Sequence, residues 1–79
     1  GINMNTKTEY IVSTSNEGKG ILIDSCRHFK SEEAAWKMVR WHFQNEPRGS
    51  EVHLSLYEGD VCTESHTWPV TSGREYYQS

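Results

Sequence analysis

The sequence predicts an α+β fold: a four-stranded antiparallel sheet with one helix packed on one face, in the order ββαββ. Three observations carry this. Two pairs of segments rich in β-branched or alternating residues each flank a glycine-containing turn. Between the pairs lies one segment with a helix cap at its start and helix breakers at its end. The apolar content is also small. The chain has 79 residues, 34% of them hydrophobic, and a mean hydropathy of −0.79. Counted with glycine and without tyrosine, 29 of the 79 residues (about 37%) are apolar, against about 45–50% in globular domains, so this chain has material for one thin core of two layers at most. A barrel enzyme, a doubly wound nucleotide-binding domain and a membrane-spanning protein are excluded on that ground. Aromatic residues make up 11% of the chain and include Trp36, Trp41 and Trp68, unlike a disordered tail.

Taken in order, residues 1–8 read as a flexible N-terminus, with Gly1-Ile2-Asn3 as a remnant ahead of a native start at Met4. The domain spans 9–70. Glu9 to Thr14 (EYIVST) is the first strand, and Ser15 to Gly20 (SNEGKG) is a turn. Ile21 to Phe29 (ILIDSCRHF) resumes as a strand paired antiparallel with the first. Alternation puts Ile21, Ile23 and Phe29 on its core side and Leu22, Asp24, Cys26 and His28 on the other. Ser31 is an N-cap followed by Glu32 and Glu33, which complement the helix dipole, and Pro47 and Gly49 stop the helix after about Asn45.

Glu51 to Tyr57 (EVHLSLY) is the cleanest strand, with Val52, Leu54 and Leu56 inward and His53, Ser55 and Tyr57 outward. Glu58-Gly59-Asp60 forms a hairpin turn. The last strand, Val61 to Val70 (VCTESHTWPV), is polar and carries Pro69, which assigns it to a sheet edge. Residues 71–79 read as a polar tail.

The helix carries more apolar surface than one sheet needs. At 100° per residue, Trp41, Ala34, Met38, His42, Ala35, Val39, Phe43 and Trp36 span an arc of about 220°, against a usual stripe somewhat over 100°. The excess sits at the two margins, Trp41 and Trp36. Either both rings fold down and seal a thin core, or one of them forms an exposed patch for a partner or a second copy. His42, near the middle of the arc, reads as a core histidine with one hydrogen-bonded ring nitrogen.

The other face of the sheet is expected to be open. Alternation gathers Tyr57, His53 and Ser55 there with Cys62, Glu64, His66 and Trp68, with Asp24, Cys26 and His28 able to join. This surface is either simply solvated or a recognition surface anchored by Trp68 and Tyr57.

Cys26-x-His28 and Cys62-x-x-x-His66 allow a zinc reading if their strands are neighbours, although structural zinc sites favour tight knuckle spacings such as C-x-x-C. Two cysteines are too few for a disulfide framework, leaving at most one bridge. Nothing in the chain assembles a nucleophile, base and oxyanion loop, and Gly18 and Gly20 precede no helix that could cradle phosphate. The sequence therefore reads as a non-enzyme without a cofactor.

Eight basic against eleven acidic residues give a net charge of −3, and the basic ones form no run. Nucleic acid is disfavoured as the main partner, although folding could gather Arg27, Lys37 and Arg40. The longest apolar run, Ile21-Leu22-Ile23, is far short of a span, so no membrane is implicated. A cytoplasmic location with reduced thiols is expected.

A tyrosine-led strand (Tyr10-Ile11-Val12) precedes a glycine hairpin and an apolar second strand. Phe29-Lys30-Ser31-Glu32-Glu33-Ala34-Ala35 then opens an aromatic helix, and a strand pair follows. This layout resembles small acidic inhibitor proteins of bacteriophages and mobile elements, including some anti-CRISPR proteins and a phage inhibitor of host RNA polymerase. It is also similar to small bacterial ββαββ domains with no assigned role. The first resemblance implies a protein that binds and blocks a host machine, and it assigns no residue a role.

The expectation is a protein-interaction module, an inhibitor or regulator of a host complex, with Trp36, Arg40, Trp41, Tyr57, His66 and Trp68 as partner-binding residues. The alternative is a zinc-binding or nucleic-acid-binding module built on Cys26, His28, Cys62 and His66. Homodimerisation through the helix or the edge strand is compatible with either.

Overall fold

A computed structural model of the chain describes residues 7–16 and 20–71, with the side chains of 20–24 outside the description. The elements follow in the expected order: β1 (Thr8–Asn16), β2 (Gly20–Phe29), α1 (Glu32–Asn45), β3 (Ser50–Glu58) and β4 (Val61–Pro69). The four strands form one antiparallel sheet in the order β2-β1-β3-β4. The two hairpins are thus joined through β1 and β3, and β2 and β4 are the opposite edges.

The helix has its expected bounds because the signals at both ends are local. Ser31 is extended and its hydroxyl accepts from the Ala34 amide at 3.2 Å. Replacing it with alanine orphans that amide and is expected to lower stability by about 1 kcal/mol, read as a downward shift of the urea midpoint at unchanged slope. At the other end, Pro47 disfavours helical geometry in Glu46, which is extended at φ −84°, ψ 151°. The Ser50 amide then donates to the Pro47 carbonyl at 3.2 Å across a turn whose third residue, Gly49, has φ 94°. A side chain there would be strained, and glycine is not.

Strands exceed the expectation at five ends, both ends of β1 and β3 and the start of β2, and β4 stops one residue short of it at Pro69. β1 runs on through Ser15 and Asn16, which pair with Glu51 and Ser50 on one side and Ile21 and Gly20 on the other, so ladder bonds outweigh weak β-propensity. The first part of the expected turn is therefore strand, and residues 17–19 of it lie outside the described residues. β3 likewise gains Ser50 and Glu58. Between β3 and β4 the turn is Gly59-Asp60, with only Gly59 at positive φ (65°), as a two-residue loop led by glycine requires. The expectations for residues 1–6 and 72–79 also fall outside the described residues.

One face of the sheet packs on the helix. Val12, Val52, Leu54 and Val70 meet Ala35, Val39 and Phe43 in the buried core, with Tyr10, Phe29, Trp36, Met38 and Trp68 packed around it. The edge strand β4 is exposed along Val61–Thr67, which explains how so polar a strand is accommodated.

Two irregularities break simple alternation. On β4, Tyr57 pairs with Cys62 but Leu56 pairs with Glu64, so Thr63 is an extra residue. On β2 the break is larger: from Val12 to Thr14 on β1, the partner moves from Arg27 to Leu22. Ser25 spans this gap, its hydroxyl accepting from the Thr14 amide at 2.8 Å. The expectation that Ile21 and Ile23 face the core was counted through this break, and their side chains lie outside the described residues.

Candidate functional site

The surplus of apolar surface on α1 resolves into one sealed margin and one open margin. On the β4 side, the Trp36 ring lies 5.5 Å from the Trp68 ring, and Trp68 in turn meets Phe43 edge-on at 6.1 Å and stacks on His66 at 5.7 Å. Trp36 Nε1 donates to Glu32 Oε2 at 3.4 Å. These rings bridge from the helix to the outlying edge strand and close that side of the core.

Among the described residues, the other margin has no such bridge. Trp41 is 49% exposed, its ring edge-on to His42 at 5.3 Å, and its neighbour Arg40 is also exposed. Among the described residues, only Val61 at the tip of β4 is another large apolar side chain so exposed.

Below Trp41 a cleft of about 500 Å³ runs between α1 and the β1–β2 pair. Met38, Trp41, His42 and Glu46 line it from the helix and its C-cap, and Thr14, Ser25 and Arg27 line it from the sheet. Among the described residues, its sheet wall is made by Arg27 at one end of the β2 irregularity, Ser25 within it and Thr14 beside it on β1, so the cleft lies over the register break.

His42 is buried as expected, with Nδ1 2.9 Å from Glu46 Oε2. The carboxylate acts only as an acceptor, so in the neutral ring Nδ1 carries the proton and Nε2 is left as an acceptor. Nε2 is buried without a hydrogen-bond partner among the described residues, and so is Thr14 Oγ1. Both residues line the cleft. The apolar arc of the helix pointed to this margin, but the sequence reading did not single out Thr14 or Ser25. Their signal lies in the register break, which strand alternation does not register.

The other expected site residues are dispersed. His66 and Trp68 are not on the open face. The extra residue at Thr63 turns Glu64, His66 and Trp68 to the helix side, opposite Leu56, Leu54 and Val52. Tyr57 stays on the open face, half-buried and paired with Cys62. Beside Ile11, which pairs with Ser55, that face carries polar contacts: Ser15 Oγ lies 2.8 Å from His53 Nε2, and His53 Nδ1 lies 2.9 Å from Thr67 Oγ1. It therefore has neither the tryptophan anchor nor the clustered aromatics expected of it.

The zinc geometry is corrected in the same way. Cys26 and His28 are on one edge strand and Cys62 and His66 on the other, with β1 and β3 between them. The bulge also puts Cys62 and His66 on different faces. His28 instead pairs with Glu9 at 2.8 Å, and His66 with Glu64 at 3.4 Å. Among the described residues, no group of three or more His, Cys, Asp or Glu side chains is placed to hold a metal ion. Cys26 and Cys62 are both free thiols. No helix among the described residues is long and apolar enough to cross a membrane.

No protein-family model gives a significant match to this chain, and neither does any curated protein or solved structure. The candidate site therefore rests on its own geometry.

Proposed function

We propose that this chain is a non-enzymatic protein-interaction module, an inhibitor or regulator that binds a protein complex through the Trp41 margin of α1. The observation that supports this is the asymmetry of the helix. Trp36 is committed to the core through Trp68, while Trp41 presents half its surface beside an apolar cleft. Tryptophan is enriched among the residues that dominate binding energy, because its large rigid ring is desolvated at little entropic cost. A chain with so few apolar residues that leaves one of its largest on the surface gives up core stability there.

Self-pairing through β4 is less well supported. That edge carries Glu64, Pro69 and a bulge, all features that discourage strand addition. The experiment is a side-by-side capture of binding proteins by wild type and Trp41→Ala, with sedimentation velocity at two concentrations to detect self-association. A stoichiometric partner held by wild type and lost by the variant supports the reading. A partner held equally by both overturns it.

A further inference from the structure

We infer that a second cavity, on the β4 margin of the helix, is a binding site for a guanidinium group. This goes beyond the protein-partner reading, lies on the opposite margin from Trp41 and does not depend on it.

The register builds the cavity. Tyr10 on β1, Leu56 on β3 and Glu64 on β4 are paired in one row across the sheet, and the next row sets Leu54 beside His66. Leu54 belongs to the core and alternate residues share a face, so both rows look toward α1. Over them stands the start of the helix, with Glu32 and Trp36 one turn apart and joined at 3.4 Å. The space between is about 200 Å³.

The charge of its walls is one-sided. Glu32 comes from the helix and Glu64 from the edge strand, both are exposed, and no lysine or arginine lines the cavity among the described residues. The cleft below Trp41, by contrast, sets Arg27 against Glu46. Each carboxylate uses one oxygen within the wall, Glu32 Oε2 to Trp36 and Glu64 Oε1 to His66, both at 3.4 Å. Among the described residues, the other oxygen of each has no partner. Acceptors of one sign beside low-dielectric walls favour a cation. Tyr10 and Trp36, both half-buried at the cavity, add the aromatic surface to which cations are drawn.

The geometry selects among cations. Glu64 and His66 are in contact, yet Glu32 does not join them as a third ligand, since no group of three His, Cys, Asp or Glu among the described residues is placed to hold a metal ion. The two carboxylates stand on separate walls, out of reach of one compact ion. A guanidinium is planar, carries a rigid fork of N–H donors and stacks on aromatic rings, so it reaches acceptors on two walls while lying against a third. An ammonium is a compact, strongly hydrated point charge and serves one wall. The volume, below the range of about 300–1,000 Å³ found for drug-sized ligands, suits one such group on a short stem.

The test is a titration of the full chain with ethylguanidinium, following backbone amide and indole signals by NMR, with ethylammonium and the neutral, planar ethylurea in parallel. The expected result is saturable shifts at Tyr10, Trp36, Leu56, Glu64 and His66. Ethylguanidinium should bind about tenfold more tightly than ethylurea and at least about threefold more tightly than ethylammonium. Glu64→Gln and Glu32→Gln, which remove a charge at nearly constant shape, are each expected to weaken ethylguanidinium about fivefold. Glu33→Gln, at an exposed neighbour that does not line the cavity, is expected to leave its affinity unchanged.

Absence of saturable shifts at these residues overturns the proposal. So does ethylurea or ethylammonium binding as tightly as ethylguanidinium. An equal loss in Glu33→Gln overturns it too, since the attraction would then belong to the acidic chain at large. Acetyl-Gly-Arg-Gly-amide is the last arm and separates the sources of the group. Tighter binding of this peptide than of ethylguanidinium assigns the site to the arginine of a polypeptide, and weaker binding assigns it to a free small molecule.

Discussion

Phe43→Ala is expected to destabilise the fold by about 3–5 kcal/mol, the range for deleting a buried aromatic ring. Phe43 is 4% exposed and is one of seven buried apolar residues among those described, packed between the helix and the sheet, so its loss leaves a void in the main core. Its ring also supports the edge of Trp68, which holds Trp36, so the truncation loosens the seal on the β4 margin as well. At roughly 0.05–0.15 kcal/mol per residue, a chain of this length has about 4–12 kcal/mol in total. The variant is therefore expected to be largely unfolded, or to lose most of its urea midpoint, in equilibrium unfolding followed by circular dichroism. A midpoint within error of wild type would show that the core does not centre on this ring.

The features legible in the sequence were those encoded locally. Ser31 caps through an amide three residues away, and Pro47 acts on the residue before it, so both ends of α1 could be placed without knowing the rest of the fold. β4 revealed itself as an edge through its polarity and Pro69, and His42 as a core histidine through its place in the apolar arc. Register was not legible. Alternation is counted along a strand, and one inserted residue reverses every side chain beyond it. Thr63 is such a residue, and it moved His66 and Trp68 from the open face to the helix side. The fate of the two helix margins was hidden for a related reason. Each depends on the strand lying beyond it: β4 supplies Trp68 to one, and β2 departs from β1 beneath the other.

Trp41→Ala and Trp36→Ala are expected to separate binding from stability, although both remove a tryptophan from the same helix. Trp41 is half exposed, and its loss should cost no more than about 1 kcal/mol of stability, since large effects follow from buried cavities. Partner affinity should fall by at least about 2 kcal/mol, roughly 30-fold, as for an anchor desolvated at an interface centre. Trp36 is half-buried against Trp68, and its loss should cost roughly 2 kcal/mol of stability, about half the value for a fully buried ring. Its effect on partner affinity, measured below the unfolding transition, should be small. The comparison needs two readings on each variant, a thermal midpoint and a dissociation constant for the captured partner. If the site were on the β4 margin, the pattern would invert, with Trp36→Ala and Trp68→Ala losing the partner and Trp41→Ala retaining it. The geometry favours the first pattern. A ring 5.5 Å from its neighbour inside a seal has already spent its apolar surface on the fold, and the ring above the cleft has not.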